Sequence, residues 1–142
     1  MENEEKNTIE VIVIEPEKEP KVVEITDDLK SMQKLVGGWI EEYYPFETDQ
    51  NIAIICNEER KLSGLPLNRA IRSEYTNEIL DVIAGTFFLA YAPPEEDSFQ
   101  SMPKEKKGKF LELFKYPELF YRTRNGIEAE KIVPRSRASD AR

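Results

Sequence analysis

Residues 57 to 72 read NEERKLSGLPLNRAIR and follow directly on the apolar run NIAIIC. Within that stretch Asn57, Glu58, Asn68, Arg69 and Arg72 place carboxamide, carboxylate and guanidinium groups around a glycine–proline turn. A guanidinium is a rigid fork of donors that fits a carboxylate or a phosphate, and an asparagine amide both donates and accepts. Held together on one rim, Asn57, Asn68, Arg69 and Arg72 could grip a small anion, a nucleotide or a peptide carboxylate. The same residues have a structural reading: Asn57 caps the turn, Asn68 bonds local backbone, and Arg69 pairs with Glu58 or Glu74. Geometry separates the two, because only the binding reading needs the guanidinium and both carboxamides presented side by side.

Other chemistry is restricted by what the chain lacks. The sequence contains no histidine and one cysteine, Cys56. That removes Ser-His and Cys-His nucleophiles, the usual general base near neutral pH, and the ligands of a zinc site. No phosphate-binding P-loop, dinucleotide fingerprint or EF-hand loop occurs, so no cofactor is implied. Carboxylates cluster at Glu41 and Glu42, Glu58 and Glu59, and Glu95, Glu96 and Asp97, but adjacent acids on a strand point to opposite faces, so no such adjacent pair can form a dyad in one site. Convergence of Glu41, Glu58 and Asp81 on a divalent cation is the route left to a carboxylate- or metal-dependent enzyme.

The elements that must position these groups follow from periodicity. TIEVIVIEP places Ile9, Val11 and Val13 on one face and Ile12 and Ile14 on the other, the pattern of a central strand. KVVEI is a second strand. TDDLKSMQKLVGG predicts a helix capped by Thr26 or Asp27, with Leu29, Met32, Leu35 and Val36 inward and Gly37 and Gly38 as its stop. WIEEYY and NIAIIC predict a hairpin, with Cys56 a small buried hydrophobe. DVIAGTFFLAYA reads as one long strand with Gly85 at a bulge or a close backbone approach. MPKEKKGKFLELF predicts a second helix starting at Pro103, with Phe110, Leu113 and Phe114 buried and its lysines solvated. PELFY adds a short turn. The expected fold is α+β, with a mainly antiparallel sheet of about five strands and two principal helices.

With 142 residues and 39% hydrophobic content, the chain suits one domain. Residues 1–7 read as a flexible leader, 8–121 as a single α+β domain and 122–142 as a flexible basic tail. The net charge is −8, although the last twelve residues hold four basic groups against one acid. Such a body repels nucleic-acid phosphates and attracts basic protein surfaces. No apolar run reaches the roughly 18 residues needed to span a bilayer, and the acidic start is unlike a signal peptide. A cytoplasmic protein with no membrane contact is expected.

The segments VIVIEPEKEPKVVEI, LVGGWIEEYY, IAIICNEERKLSGLPLNR and VIAGTFFLAY, in that order, resemble a small domain-of-unknown-function family of phages, plasmids and conjugative transposons. The shared pattern is VGGxIE…NE…LPxNR…GTF, carried here by Val36, Gly37, Gly38, Ile40, Glu41, Asn57, Glu58, Leu65, Pro66, Asn68, Arg69, Gly85, Thr86 and Phe87. The resemblance implies a mobile-element accessory protein and transfers no catalytic residue. It favours a non-enzymatic protein that engages a host or element-encoded partner with a basic surface, in the manner of an anti-defence protein. Trp39, Tyr43, Tyr44 and Phe46 could anchor such a partner or pack across the sheet. The alternatives are a small-ligand or nucleotide binder centred on Arg69 and Asn68, and the carboxylate or metal enzyme.

Overall fold

The computed structural model describes residues 7–59 and 64–134. Most of the expected leader (1–6), part of the opening stretch (60–63) and the end of the expected tail (135–142) lie outside the described residues. In chain order the elements are β1 (Thr8–Ile14), β2 (Lys21–Thr26), α1 (Leu29–Val36), β3 (Ile40–Tyr43), β4 (Ile52–Asn57) and β5 (Leu67–Arg72). Then follow β6 (Ile79–Ala84), β7 (Phe87–Tyr91), α2 (Lys104–Leu113), β8 (Glu118–Thr123) and β9 (Gly126–Lys131). Neither helix is long and apolar enough to cross a membrane.

A five-stranded antiparallel sheet of order β2-β1-β7-β4-β3 forms the centre, so the fold is α+β. Both faces of its middle strands are covered. On one face Ile12, Ile14, Ile52, Ile54, Phe87 and Leu89 pack with Phe110 and Phe114 of α2 and with Ile71 and Ile83 of the β5–β6 hairpin. On the other, Ile9, Val11, Val13, Ile55 and Phe88 pack under Met32 and Val36 of α1. Ala53 and Ala90 are register partners on this second face, and their small side chains leave room for the helix. The alternation read in β1 therefore assigns its residues to the correct faces. Cys56 lies in the core, as expected.

Each helix end has an identifiable cause. Asp28, rather than Thr26 or Asp27, caps α1 by accepting from the Ser31 amide at 2.7 Å. Gly37 ends it in the left-handed conformation, φ 85°. Pro103 precedes α2, where Lys106 pairs with Asp49 and Lys107 with Glu10, each at 2.6 Å. Two lysines expected to be solvated thus tie the helix to the sheet. Leu113, expected inside, is 45% exposed because the inward side of the helix is filled by Phe110 and Phe114.

Four further expectations are corrected. DVIAGTFFLAYA is two strands in different sheets, because the chain turns a corner at Gly85 (φ 79°). LNRAIR, read as part of a polar turn, is strand β5, paired with β6. PELFY opens strand β8 instead of forming a turn. The domain boundary expected at residue 121 falls inside β8, and residues 122–131 of the expected tail complete a hairpin with it. The hairpin is held to the body by Glu118, which accepts from the Ala70 amide at 3.2 Å, and by Arg72, which donates to the Ala129 carbonyl at 3.1 Å.

Gly85 meets two constraints at once. A Cβ there would lie 2.7 Å from Leu65 Cδ1, and the positive φ is disfavoured for any L side chain. The leucine methyl can rotate away, so the backbone term dominates. Gly85→Ala is expected to lower stability by about 1–2 kcal/mol, read as a lower urea midpoint at unchanged m-value.

Candidate functional site

The expected recognition cluster is divided by the fold. Asn68 is the extra residue of a β-bulge, since Leu67 faces Ala84 while Arg69 faces Ile83. A bulge re-aims side chains that would otherwise alternate, and here both Asn68 and Arg69 turn inward, at 1% and 0% exposure. Asn57 lies elsewhere, at the end of β4, where its Nδ2 donates to the Val36 carbonyl at the end of α1. That helix covers one face of the sheet; Arg69 reaches the end of α2, which covers the other.

All five guanidinium N–H groups of Arg69 have an oxygen acceptor. Nε and Nη2 donate to the Phe114 carbonyl at 3.2 and 3.0 Å, and Nη2 also donates to the Lys18 carbonyl at 2.6 Å. Nη1 donates to the carbonyl and the Oδ1 of Asn68 at 3.3 and 2.8 Å. Asn68 Nδ2 in turn donates to the carbonyls of Ile14 and Gly85, both at 2.8 Å. Phe114 follows the last turn of α2, so the cation sits at the partially negative end of a helix. Burial lowers the Arg69 pKa, and the charge of Glu118 opposes that shift. Neither expected acid takes this cation. Glu74 accepts from the Thr48 amide and hydroxyl instead, and Glu58 is exposed, with its amide on the Trp39 carbonyl.

A ligand-binding role for Asn57, Asn68 and Arg69 as one rim is therefore corrected: two are consumed inside the fold and the third caps α1. The same holds for the pattern VGG, N, LPxNR and G. Asn57 packs so closely on Gly38 that a Cβ there would lie 2.9 Å from its Nδ2. The Gly85 amide donates to the Pro66 carbonyl at 2.7 Å while the Gly85 carbonyl receives Asn68. These pattern residues contact one another and position the strands. The aromatic set is also divided: Phe46 is core against Phe110 at 5.0 Å between centroids, Tyr43 packs on that core, and Trp39 is 66% exposed. Among the described residues no group of three or more acidic or cysteine side chains is placed to hold a metal ion, and Glu41, Glu58 and Asp81 do not converge.

Two concavities remain. A cleft of about 570 Å³ opens between the second half of α2, the β5–β6 turn and the β8–β9 hairpin. Phe46, Ile71 and Phe114 contribute apolar surface to it, and Arg72, the one expected polar binding residue with a place there, shares it with Lys109 and Glu118. Burial raises the Glu118 pKa, against the opposing pull of its Ala70 hydrogen bond and of Arg72, Arg69 and Lys131. A second groove of about 550 Å³ lies between the start of α1, the end of β3 and the loop after β7. Asp27, Asp28, Glu42, Glu96 and Asp97 line it, with no lysine or arginine. Burial and Asp28 raise the Asp27 pKa, and burial with the 2.5 Å bond to Glu42 pushes the Tyr44 phenol up to about 12. Sequence reasoning missed both, since each draws on three segments far apart in the chain. The acid-rich loop EED after two prolines was the one visible signal.

Residues 9–115 match the family model DUF3846, a domain of unknown function, and the chain belongs to that family. No curated protein and no solved structure gives a significant match. The matched region ends before β8, so Glu118 and Lys131 enter the cleft from outside it.

Replacing Arg69 by Ala would strand the Phe114, Lys18 and Asn68 oxygens in the interior, and the expected loss is about 3–5 kcal/mol in chemical denaturation. Arg69→Lys restores charge but not five donors and should recover only part of that loss. Because the Glu118 pKa is raised in the folded chain, the folded state binds more protons than the unfolded one just above the ordinary carboxyl pKa of 4.5. Stability should therefore fall as pH rises through that window. Glu118→Gln, still able to accept from Ala70, should flatten this part of a melting-temperature profile.

Proposed function

We propose that this DUF3846 protein is a non-enzymatic accessory protein of a phage or other mobile genetic element, acting in the cytoplasm by engaging a basic surface of a host or element-encoded protein. The observation that carries the reading is the acidic groove. Five carboxylates surround it without a single cationic neighbour in its lining, and Leu29, Met32, Pro93, Pro94 and Phe99 supply apolar wall. Lysine and arginine side chains suit such a site, because their stems lie along apolar surface while their heads meet carboxylates. Pro93 and Pro94 stiffen the loop, which reduces the ordering cost of binding.

The charge of the whole chain acts in the same direction. At −8 it steers basic partners toward the protein and repels nucleic-acid phosphates, so the partner is a protein. An acidic protein seated on a basic host surface would block that surface from nucleic acid, which is the anti-defence form of this reading. The absence of histidine and the dispersed carboxylates give no support to an enzyme.

The test is anisotropy titration of a fluorescein-labelled arginine- and leucine-containing peptide at about 50 mM salt and again above the salt level where surface charge is screened. The double variant Glu96→Gln, Asp97→Asn should weaken binding about fivefold or more, and salt should weaken it further. Glu128→Gln, Glu130→Gln on β9 changes the net charge equally and lies outside the groove. Equal loss in both variants would mean diffuse charge attraction and would refute the groove as the site.

A further inference from the structure

We infer that the cleft between α2, the β5–β6 turn and the β8–β9 hairpin binds a small amphipathic anion: an apolar body carrying one carboxylate or phosphate head. This goes beyond the protein-binding reading and stands without it, since the two concavities share no residue.

Size and lining set the class. The volume of about 570 Å³ lies in the range of small-molecule sites, roughly 300–1,000 Å³. Ile71, Phe46 and Phe114 offer the body an apolar wall, and Tyr75 (72% exposed) and Leu113 extend it toward solvent. Such a wall suits a flat or aliphatic group, not a bare ion.

Charge sets the head group. Arg72, Lys109 and Lys131 face this cleft together with Glu74, Glu112 and Glu118, so a count of residues alone leaves it neutral. Commitments break the tie. Both oxygens of Glu74 accept from Thr48, and Glu118 accepts from Ala70 and stands against Arg69, Arg72 and Lys131, which leaves the exposed Glu112 as the one acid of the lining without such a contact among the described residues. On the cationic side, among the described residues no carboxylate lies within ion-pair distance of Lys109, Lys131 or Arg72. Lys109 rests over the Phe110 ring at 5.0 Å, a contact that leaves its N–H donors available. Among the described residues the Arg72 guanidinium donates to the carbonyls of Asn77 (3.4 Å) and Ala129 (3.1 Å), with Glu118 nearby but beyond ion-pair distance, so part of its fork is uncommitted. Donors therefore outnumber available acceptors, and the complementary ligand is an anion. The acidic groove, by contrast, holds no cation, and two smaller hollows hold Lys115 alone and none.

The full chain is titrated with anilinonaphthalene sulfonate, an amphipathic anion whose emission reports transfer to an apolar site, and the complex is then challenged with laurate and with adenosine monophosphate. One saturable site per chain is expected. Lys109→Glu should weaken it about tenfold at unchanged melting temperature, whereas Lys104→Glu, an equal change of charge on the same helix outside the cleft, should leave it within about twofold. Displacement by laurate assigns a carboxylate head and displacement by the nucleotide a phosphate head. No saturable binding up to about 1 mM, equal weakening in both variants, or displacement by neither competitor would overturn the site. Failure here would leave the peptide titration of the acidic groove untouched, and the converse also holds.

Discussion

One buried guanidinium organises this fold. Arg69 draws together the β1–β2 turn through Lys18, its own bulged strand through Asn68, and the end of α2 through Phe114. Asn68 extends the junction to the end of β1 and to the β6–β7 corner. A charge in the interior is tolerable only when every donor is used and the surrounding potential is negative. Five hydrogen bonds to four oxygens, the carbonyl end of a helix and the nearby Glu118 meet both conditions. Removal of the positive charge would leave carbonyls from three segments facing one another with nothing between them. The hub also explains why α2 and the β5–β6 hairpin share one face of the sheet although they are joined to it only through loops.

How much of this was legible depended on whether a residue followed the hydrophobic pattern of its element. In β1 it did, and Ile9, Val11 and Val13 separate from Ile12 and Ile14 as the alternation requires. The helix ending at Gly37 was equally plain, apart from which acid caps it. Strand β5 broke the pattern, since LNRAIR contains three strongly polar side chains and buries two of them, Asn68 and Arg69. Polarity there signals internal hydrogen bonding, not exposure, and nothing local distinguishes the two. The opposite failure occurred around Gly85, where apolar runs on both sides of the glycine read as one strand and hid a change of sheet. The β8–β9 hairpin, which RNG could turn, lost to the reading of a flexible tail for a third reason: its strands are mostly exposed, and contacts with Ala70 and Arg72 tie it to the body.

The candidate sites obey the same logic. Residues that looked like a recognition set, Asn57, Asn68 and Arg69, are directional because backbone carbonyls need directional partners. Most of the charged groups that line the two hollows sit on the loop after β7, at the start of α1, on α2 and on the hairpin beyond the family-matched region. Charge is sorted between these places. Five carboxylates line one groove without a cation, while three cations and three glutamates share the cleft beside α2. A small acidic chain thereby presents two chemically distinct hollows on a shared core.

The position of β7 has a further consequence, for the order of assembly. It is the last of the five central strands to be made, yet it lies in the middle, between β1 and β4. The hairpins β1–β2 and β3–β4 can zip locally, but each then carries an open edge that only residues 87–91 can close. Closing so long a loop is entropically slow. On the ribosome the nascent chain must therefore wait with Ile12, Ile54 and their neighbours uncovered. Cooperative collapse begins only when FFLAY emerges, and that interval is when chaperone capture or strand-edge aggregation would compete with folding.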